Sequence, residues 1–236
     1  MAKMTEHTYK QFDTELEKIR SGVLRMGGLV ETQVANALEG LKTGNIGLLE
    51  RVIEGDHRIN LLEIELDEEC NQIIAKRQPA AVDLRLVMTV IKAIADLERI
   101  GDEAKKIAKA AKRLHSGEMP FSLRVDLSYG AGLALDMLRS ALDSFARADI
   151  SAWARIEKQD EEVDACFKGT MRQLITFMME DPRTISNSLE VLFIAKAIER
   201  VGDHSKNVAE YVVFLVQGRD VRYAKSVAAE GGTPKS

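Results

Sequence analysis

Aromatic residues and cysteines are scarce in this 236-residue chain. Phe, Tyr and Trp together make up 5% of it, and its two cysteines, Cys70 and Cys166, lie far apart inside helical patterns. Two isolated cysteines exclude a disulfide framework and indicate no zinc site. The shortage of aromatic residues, combined with abundant Ala, Leu, Glu, Lys, Arg and Met, favours helices over strands. No segment of the sequence shows a convincing strand pattern.

Long apolar runs and concentrated charge are also missing. The best apolar run, Tyr211–Val216, is far too short for a membrane span. Acidic residues interrupt the first twenty positions, so no secretory signal is predicted. The net charge is −4, and the basic residues form no stripe of the kind that nucleic-acid binding requires. We therefore expect a soluble, cytoplasmic protein that binds no nucleic acid and does not insert into a membrane.

Proline is rare, and its four positions mark boundaries. Pro79 and Pro182 occupy equivalent places in the two halves of the chain, each just before a long helical pattern, where proline is tolerated. Pro120 lies with Gly117 between the halves. Pro234 lies in a Gly- and Ser-containing tail that we expect to be disordered.

Between these prolines the apolar periodicity predicts six long helices, near residues 8–43, 46–77, 80–115, 122–147, 150–180 and 184–217. Helices of about 30 residues are about 45 Å long, which predicts a bundle of rods. The predicted fold is all-α, with two tandem, pseudo-symmetric antiparallel three-helix bundles. The first occupies residues 1–117, the second residues 118–220, and a tail covers residues 221–236.

A five-residue segment occurs twice in the chain. Glu98–Asp102 reads Glu-Arg-Ile-Gly-Asp, and Glu199–Asp203, 101 residues later, reads Glu-Arg-Val-Gly-Asp. In a helix the two acids of each copy lie on one face, four residues apart. Each copy also keeps a mid-helix glycine, which costs about 1 kcal/mol relative to alanine. The repetition indicates a site that is present twice.

Counting from the helix turns places further oxygen ligands beside these segments. In each hairpin, the oxygen ligands of the earlier helix lie nearly as many residues before the proline (Pro79 or Pro182) as those of the later helix lie after it. An antiparallel pair with a tight turn brings such groups to one height. The predicted clusters are Asp56, Asn60, Glu98 and Asp102 in the first half, and Asp160, Asp164, Glu199 and Asp203 in the second.

Such clusters of acids require a cation, because several like charges at one level repel one another. All-oxygen ligation suits Mg²⁺, Mn²⁺, Ca²⁺ or iron. No histidine is placed symmetrically, since His204 stands where the first copy has Glu103. A structural zinc site is therefore less suitable, although zinc remains among the candidate metals. Alternatively, the acids form a solvated helix face and pair with nearby bases, namely Arg99, Lys105, Lys106, Arg200 and Lys206.

No catalytic constellation accompanies these acids. The sequence contains no Ser-His-Asp arrangement, no P-loop and no Gly-rich phosphate cradle. Ferritin-like di-metal enzymes use Glu-x-x-His pairs, whereas the second ligand here is Asp at the fourth position. We therefore expect a protein that is not an enzyme. A di-metal carboxylate enzyme and a metal-free helical scaffold remain the alternatives.

Over nearly its full length the chain resembles the PhoU family of bacterial phosphate-uptake regulators. The resemblance is carried by Met26–Gly28, Val52–Asp56, Ile74–Pro79, Asp83–Met88, Met179–Ile185 and the two Glu-Arg-(Ile/Val)-Gly-Asp segments. It implies two tandem three-helix bundles, a homodimer, and multinuclear sites for divalent or trivalent metal ions (Mg, Mn, Fe or Zn) in carboxylate clusters. Asn60 departs from the family pattern by an amide, so the first cluster is expected to bind metal more weakly or to hold fewer ions.

The resemblance also implies a function. Members of the family act as negative regulators of the phosphate-starvation response. The implied partners are the ATPase subunit of the phosphate ABC transporter and the phosphate sensor histidine kinase, which the protein would couple when phosphate is plentiful. Periodicity and spacing say nothing about this coupling.

Overall fold

The described residues form six α-helices and contain no strand. The structure, a computed structural model, describes residues 2–116 and 125–221, with side chains from Lys10 onward. The helices are α1 (Ala2–Thr43), α2 (Ile46–Arg77), α3 (Ala81–His115), α4 (Ser128–Arg147), α5 (Trp153–Glu180) and α6 (Ile185–Gln217), with a short 3₁₀ turn at Pro182–Thr184. The predicted all-α fold is confirmed. The predicted boundary at 117/118, Gly117, Pro120, Pro234 and the tail after Val221 lie outside the described residues, so the domain ranges stay a prediction.

Three helix starts differ from the sequence prediction by three residues or more, and two of these differences have a clear local cause. Helix α4 begins at Ser128 because the Asp126 carboxylate accepts the backbone N–H of Ser128 at 2.8 Å. Helix α5 begins at Trp153 because the Asp149 carboxylate accepts the N–H of Ser151 at 3.0 Å. Such aspartate turns compete with helix formation. Helix α1 begins at Ala2, earlier than predicted.

The six helices pack as two bundles, α1–α2–α3 and α4–α5–α6, that share a long seam between α3 and α6. Contacts from Asp96 to His204 and from Arg113 to Glu190 show that α3 and α6 run antiparallel. Leu97, Ile100 and Val201 are among the buried residues of a core cluster that spans both bundles. None of the described helices is both long and apolar enough to cross a membrane.

Candidate metal centres

Three acids come together in the second bundle, where α5 and α6 face each other. Asp164, Glu199 and Asp203 each offer an oxygen, and these oxygens lie within 4.8 Å of one another. The spacing of four residues between Glu199 and Asp203 places both on the face of α6 that meets Asp164. No other group of three potential ligands comes as close among the residues that the structure describes.

Burial and the neighbouring acids both affect the protonation of Asp203. Shielding from water, followed by the charges of Glu199, Asp160 and Asp164, raises the pKa of Asp203 to about 6, and Lys196 opposes this rise. The Asp203 carboxylate is nevertheless exposed at the protein surface, so water screens part of this repulsion. A carboxyl group in this setting is stabilised by a cation that binds next to it.

Lysines already supply part of the positive charge. The Lys206 ammonium donates to Asp160 Oδ2 at 2.6 Å, and the Lys196 ammonium donates to both oxygens of Glu199. Asp160 is therefore not part of the close group of three, although its charge still acts on Asp203. Pairing with Lys206 is the alternative that the sequence left open for this residue.

The first bundle has the same lysine at the equivalent place. Lys105 donates to Asp56 Oδ2 at 2.6 Å, and Asp56 is buried. The second oxygen of Asp56 and the side-chain oxygen of Asn60 are buried and accept no hydrogen bond. Burying an acceptor without a partner is costly, and a bound cation would supply the partner that both oxygens lack.

Glu98 and Asp102 belong to this first cluster. Burial, then the charges of Asp102, Glu63 and Asp56, raise the pKa of Glu98. All four predicted residues of the first cluster are thus on neighbouring faces of α2 and α3, but no three of its carboxylates lie as close together as those of the second bundle.

The sequence analysis missed one acid of the first cluster. The pKa of Glu63 is raised, chiefly by burial and then by Asp67, and Asp102 contributes in the same direction. Asp56, Asn60, Glu63 and Asp67 follow one another at steps of four, three and four, which is the spacing of one helix face. Extending the count by one turn beyond Asn60 would have found Glu63.

The two repeated glycines have different roles. A Cβ on Gly101 would lie 3.0 Å from Ile59 Cδ1 and 3.9 Å from Asp56 Oδ1, so glycine allows α2 to approach α3 closely there. At Gly202 the nearest atom, Val163 Cγ1, would be 3.6 Å away, which is an ordinary contact. Close helix approach therefore explains Gly101 and leaves Gly202 unexplained.

The seam between the bundles contains two buried acids that the sequence analysis did not single out. The first is Asp96, which accepts hydrogen bonds from His204 Nδ1 at 2.7 Å, from Tyr211 at 2.7 Å and from Asn207 at 3.2 Å, all on α6. Although burial opposes it, these hydrogen bonds hold the pKa of Asp96 below its ordinary value. Charge-assisted bonds of this kind fix the register of α3 against α6.

The second buried acid is Glu103, and the arginines of the repeated segments also lie at this seam. Arg200 contacts Glu103 at 3.1 Å, and Arg99 lies 3.7 Å from Asp96. Glu103 also accepts from Lys106 at 2.9 Å. Both arginines therefore lie beside the buried carboxylates of the seam, and the charge of Arg99 also opposes the rise in the pKa of Glu98 and of Glu63 in the first cluster.

The donor sets suit a hard cation. Both clusters offer carboxylate oxygens, with one amide oxygen in the first, and hard divalent or trivalent ions prefer such ligands. The oxygens of Asp56 and Asn60 have no hydrogen-bond partner, and the pKa of Asp203 is raised. Both observations indicate that a cation would be favourable at these places. The residues present therefore fit the carboxylate clusters that the sequence predicts, and metal binding itself stays a prediction.

Comparison with known proteins agrees with this architecture. The PhoU domain family matches residues 23–111 and 130–212, one match in each bundle. The chain is 46% identical over 220 residues to the "Phosphate-specific transport system accessory protein PhoU" of Escherichia coli strain K12, covering 93% of this chain and 91% of that protein. It is 45% identical over 221 residues to the homologue from Pseudomonas aeruginosa, with 93% and 91% covered.

Solved structures show the same fold. The crystal structure of PhoU from Pseudomonas aeruginosa superposes with a TM-score of 0.85 at 44% identity, covering 88% of this chain and all (100%) of that one. The phosphate transport system regulatory protein PhoU from Streptococcus pneumoniae gives a TM-score of 0.81 at 30% identity, with 89% and 99% covered. The resemblance seen in the sequence motifs is confirmed, and the chain belongs to the PhoU domain family.

Proposed function

We propose that this protein is a cytoplasmic regulatory adaptor of phosphate uptake that represses the phosphate-starvation response when phosphate is plentiful. The observation that carries the proposal is the family match in both bundles, together with relatives named as accessory proteins of phosphate-specific transport. The 93% coverage of this chain by such a relative supports transfer of the role to the whole protein. No catalytic step is part of the proposal.

The proposed partners are the ATPase subunit of the phosphate ABC transporter and the phosphate sensor histidine kinase. A relative named as an accessory protein of phosphate-specific transport supports the first, and one named as a regulatory protein supports a signalling role. We further propose that the protein acts as a homodimer. The long helices offer two extended bundle surfaces for these contacts.

The metal clusters form the second part of the proposal. Asp164, Glu199 and Asp203 would hold an ion in the second bundle, with Asp160 adding its charge. Asp56, Asn60, Glu98 and Asp102 would do so in the first. A bound cation would supply positive charge and a coordination position that a phosphate or carboxylate oxygen can occupy. Lys105 and Lys206 hold Asp56 and Asp160 in place by direct hydrogen bonds.

A reporter assay tests the regulatory role. The gene is deleted, and alkaline phosphatase or another phosphate-starvation reporter is measured in phosphate-rich medium. We expect high expression in the deletion strain and repression after complementation with the wild-type gene. Normal repression in the deletion strain, in a genome with no second copy, would contradict the regulatory proposal.

Metal content tests the clusters separately. Glu199→Gln with Asp203→Asn removes two ligands of the second cluster while preserving side-chain shape, and the purified protein is assayed for bound metals by elemental analysis. We expect loss of the second bundle's ions. Glu190→Gln is the control, because Glu190 pairs with Arg113 at 2.6 Å and belongs to neither cluster. Unchanged metal content in the double variant would contradict the metal proposal.

A metal-free scaffold is the second candidate, and the lysine pairs favour it. Lys105, Lys206 and Lys196 already bind acids of both clusters, so part of the negative charge is balanced without a metal. Wild-type protein that contains no bound metal and still restores reporter repression after complementation would support this scaffold. The unpaired oxygens of Asp56 and Asn60 favour the metal-binding alternative.

A further inference from the structure

Two lysines occupy equivalent positions in the two candidate clusters. Lys105 follows Asp102 by three residues, and Lys206 follows Asp203 by three residues. Steps of four and three along a helix return to one face, so each lysine lies on the same face as the two acids of its repeated segment. The duplicated unit is therefore longer than the five residues from Glu to Asp, and it includes a cation.

The contact that each lysine makes is duplicated as well. Lys105 Nζ donates to Asp56 Oδ2, and Lys206 Nζ donates to Asp160 Oδ2, both at 2.6 Å. Each bond joins the later helix of a hairpin to the earlier one, and the two aspartates are equivalent positions of the repeat. An ion pair that recurs between the same atoms at the same distance belongs to the cluster rather than to a chance surface contact.

Burial distinguishes these two lysines from the other paired lysines. The side chains of Lys105 and Lys206 are 29% and 30% exposed, whereas the lysines of the other ion pairs in the described part of the chain are between 40% and 78% exposed. Removing an ammonium group from water is costly unless an acid compensates for it. Solvent and salt screen such partly buried pairs less than exposed ones, so the charge of each lysine acts strongly on its cluster.

Two further lysines near the second cluster are not duplicated. Lys196 and Lys168 also pair with acids of that cluster. The first bundle has Ala95 and Ile64 at the equivalent positions. Only the position of Lys105 and Lys206 therefore belongs to the architecture that both clusters share.

The positive charge acts on further acids of each cluster besides the paired aspartate. The hydrogen bond to Asp56 raises the pKa of Lys105, and the charges of the two first-cluster acids on α3 act in the same direction. Although burial opposes it, the hydrogen bond to Asp160 raises the pKa of Lys206, and the charge of Asp203 contributes. Both side chains are therefore ammonium groups at neutral pH, next to the acids that a cation would bind.

The pairing leaves different oxygens available in the two clusters. In the second bundle Asp160 binds Lys206 and lies outside the close group of three acids. In the first bundle Lys105 binds Oδ2 of Asp56, while Oδ1 is buried and accepts no hydrogen bond. The lysine thus occupies one oxygen in each cluster, and in the first the other oxygen of the same carboxylate still lacks a partner.

We propose that Lys105 and Lys206 are built-in counter-cations, each of which competes with a metal ion for one aspartate oxygen of its cluster. This inference rests on the proposed metal binding and concerns how tightly each cluster binds. In the metal-free protein the lysines neutralise part of the negative charge and join the two helices of each hairpin. The ammonium group has to release Asp56 or Asp160 before that Oδ2 can act as a ligand. Each lysine therefore lowers the affinity of its cluster and favours exchange of the ion over permanent retention.

The test removes the charge of one lysine in full-length protein that keeps one cluster intact. For the first cluster, Lys105→Met is combined with Glu199→Gln and Asp203→Asn, which disable the second. Titration calorimetry with MnCl₂ compares this protein with the same protein that retains Lys105. We expect binding to be at least about tenfold tighter, because a charge-assisted hydrogen bond no longer has to break. In EDTA the variant should melt at a lower temperature, because the buried Asp56 loses its partner. A lysine with a purely structural role would lower the melting temperature without raising the affinity.

The neighbouring lysine provides a matched control. Lys106→Met removes the same charge one residue away, where Lys106 pairs with Glu103 of the seam at 2.9 Å. Because Lys106 is 59% exposed, this change should alter the Mn²⁺ affinity by less than about threefold. A gain equal to that of Lys105→Met would assign the effect to net charge alone and overturn the proposal.

The second cluster repeats the test. Lys206→Met, combined with Glu98→Gln and Asp102→Asn, should give a gain of the same size. Asp160 is 14% exposed, compared with 4% for the aspartate of the first pair, so the loss of its lysine is less damaging. This variant decides the question if Lys105→Met does not fold.

The outcomes separate this inference from the metal proposal itself. If the proteins that retain their lysines bind Mn²⁺ and the lysine variants bind it no more tightly, the lysines do not compete and this inference alone is wrong. If only the lysine variants bind Mn²⁺, the inference holds and the unaltered protein is a metal-free scaffold. Absence of Mn²⁺ binding from every protein would overturn both.

Discussion

Replacing Asp203 by asparagine tests whether burial of this carboxylate and repulsion from the neighbouring acids destabilise the fold when no metal is bound. The pKa of Asp203 is about 6, compared with an ordinary value of 3.8. A shift of this size corresponds to about 3 kcal/mol. Because the side chain is exposed, solvent screening reduces the effect, and we expect about 1 kcal/mol.

The sign follows from the raised pKa. A carboxyl group that holds its proton more tightly in the folded state destabilises the fold once it ionises, so the penalty is complete above pH 6 and absent below pH 3.8. Asp203→Asn should therefore raise the melting temperature in EDTA at pH 7.5 by about 3 °C for a chain of this size. At pH 5, where the penalty is only partly developed, the gain should be about half as large.

Thermal melting with EDTA at both pH values measures this effect, and Asp160→Asn is the matched control. Asp160 belongs to the same cluster but binds Lys206 at 2.6 Å, so its replacement leaves a lysine without its partner and should not stabilise the protein. A lower melting temperature for Asp203→Asn at pH 7.5, or equal gains for both variants, would refute the repulsion argument.

Three further predictions concern metal binding, helix contact and the seam. Mn²⁺ titration followed by calorimetry should give about tenfold weaker binding to the second cluster at pH 5 than at pH 7.5, because one proton competes at Asp203; pH-independent affinity would exclude Asp203 as a ligand. In urea denaturation, Gly202→Ala should stabilise the protein by up to about 1 kcal/mol, whereas Gly101→Ala should gain less because its Cβ meets Ile59 at 3.0 Å; a larger gain at Gly101 would contradict the packing argument. Asp96→Ala should cost about 3 kcal/mol or more in the same assay, since the buried His204 and the partly buried Asn207 and Tyr211 lose their acceptor, and a cost below about 1 kcal/mol would show that the network contributes little.

The helices could be predicted from the sequence because apolar periodicity and proline act locally. The prediction of α4 failed at its start because a single side chain, Asp126, captures the backbone N–H that the helix would have used. The same local competition shortens α5 at Asp149. Periodicity carries no information about such turns, since it registers only which residues are apolar.

The candidate site could be predicted only in part. Counting from Pro182 placed Asp164 level with Glu199 and Asp160 level with Asp203, and the oxygens of Asp164, Glu199 and Asp203 lie within 4.8 Å of one another. The same counting placed Asp160 in the group, but Lys206, three residues beyond Asp203, binds Asp160 instead. Counting residues gives the height of a side chain along the bundle and leaves open which of two nearby charges it contacts.

The seam could not be predicted because it depends on how two bundles pack. Nothing in the repeat distinguishes Asp96 or Glu103 from the partly exposed acids of α3, namely Asp83, Glu98 and Asp102, since all have ordinary helical spacing. Burial follows only once α6 lies against them. The seam breaks the symmetry of the repeat, because His204 binds Asp96 whereas the equivalent Glu103 binds Arg200.

Divergence between the two bundles is then the most informative property of this duplicated chain. Both keep the aspartate–lysine pair, at Asp56 with Lys105 and at Asp160 with Lys206, so the pair belongs to the shared architecture. Around it the two clusters differ, since the first has Asn60 and Glu63 where the second has Asp164 and Phe167. Exchanging residues between these equivalent positions is the direct way to test whether the two clusters differ in what they bind.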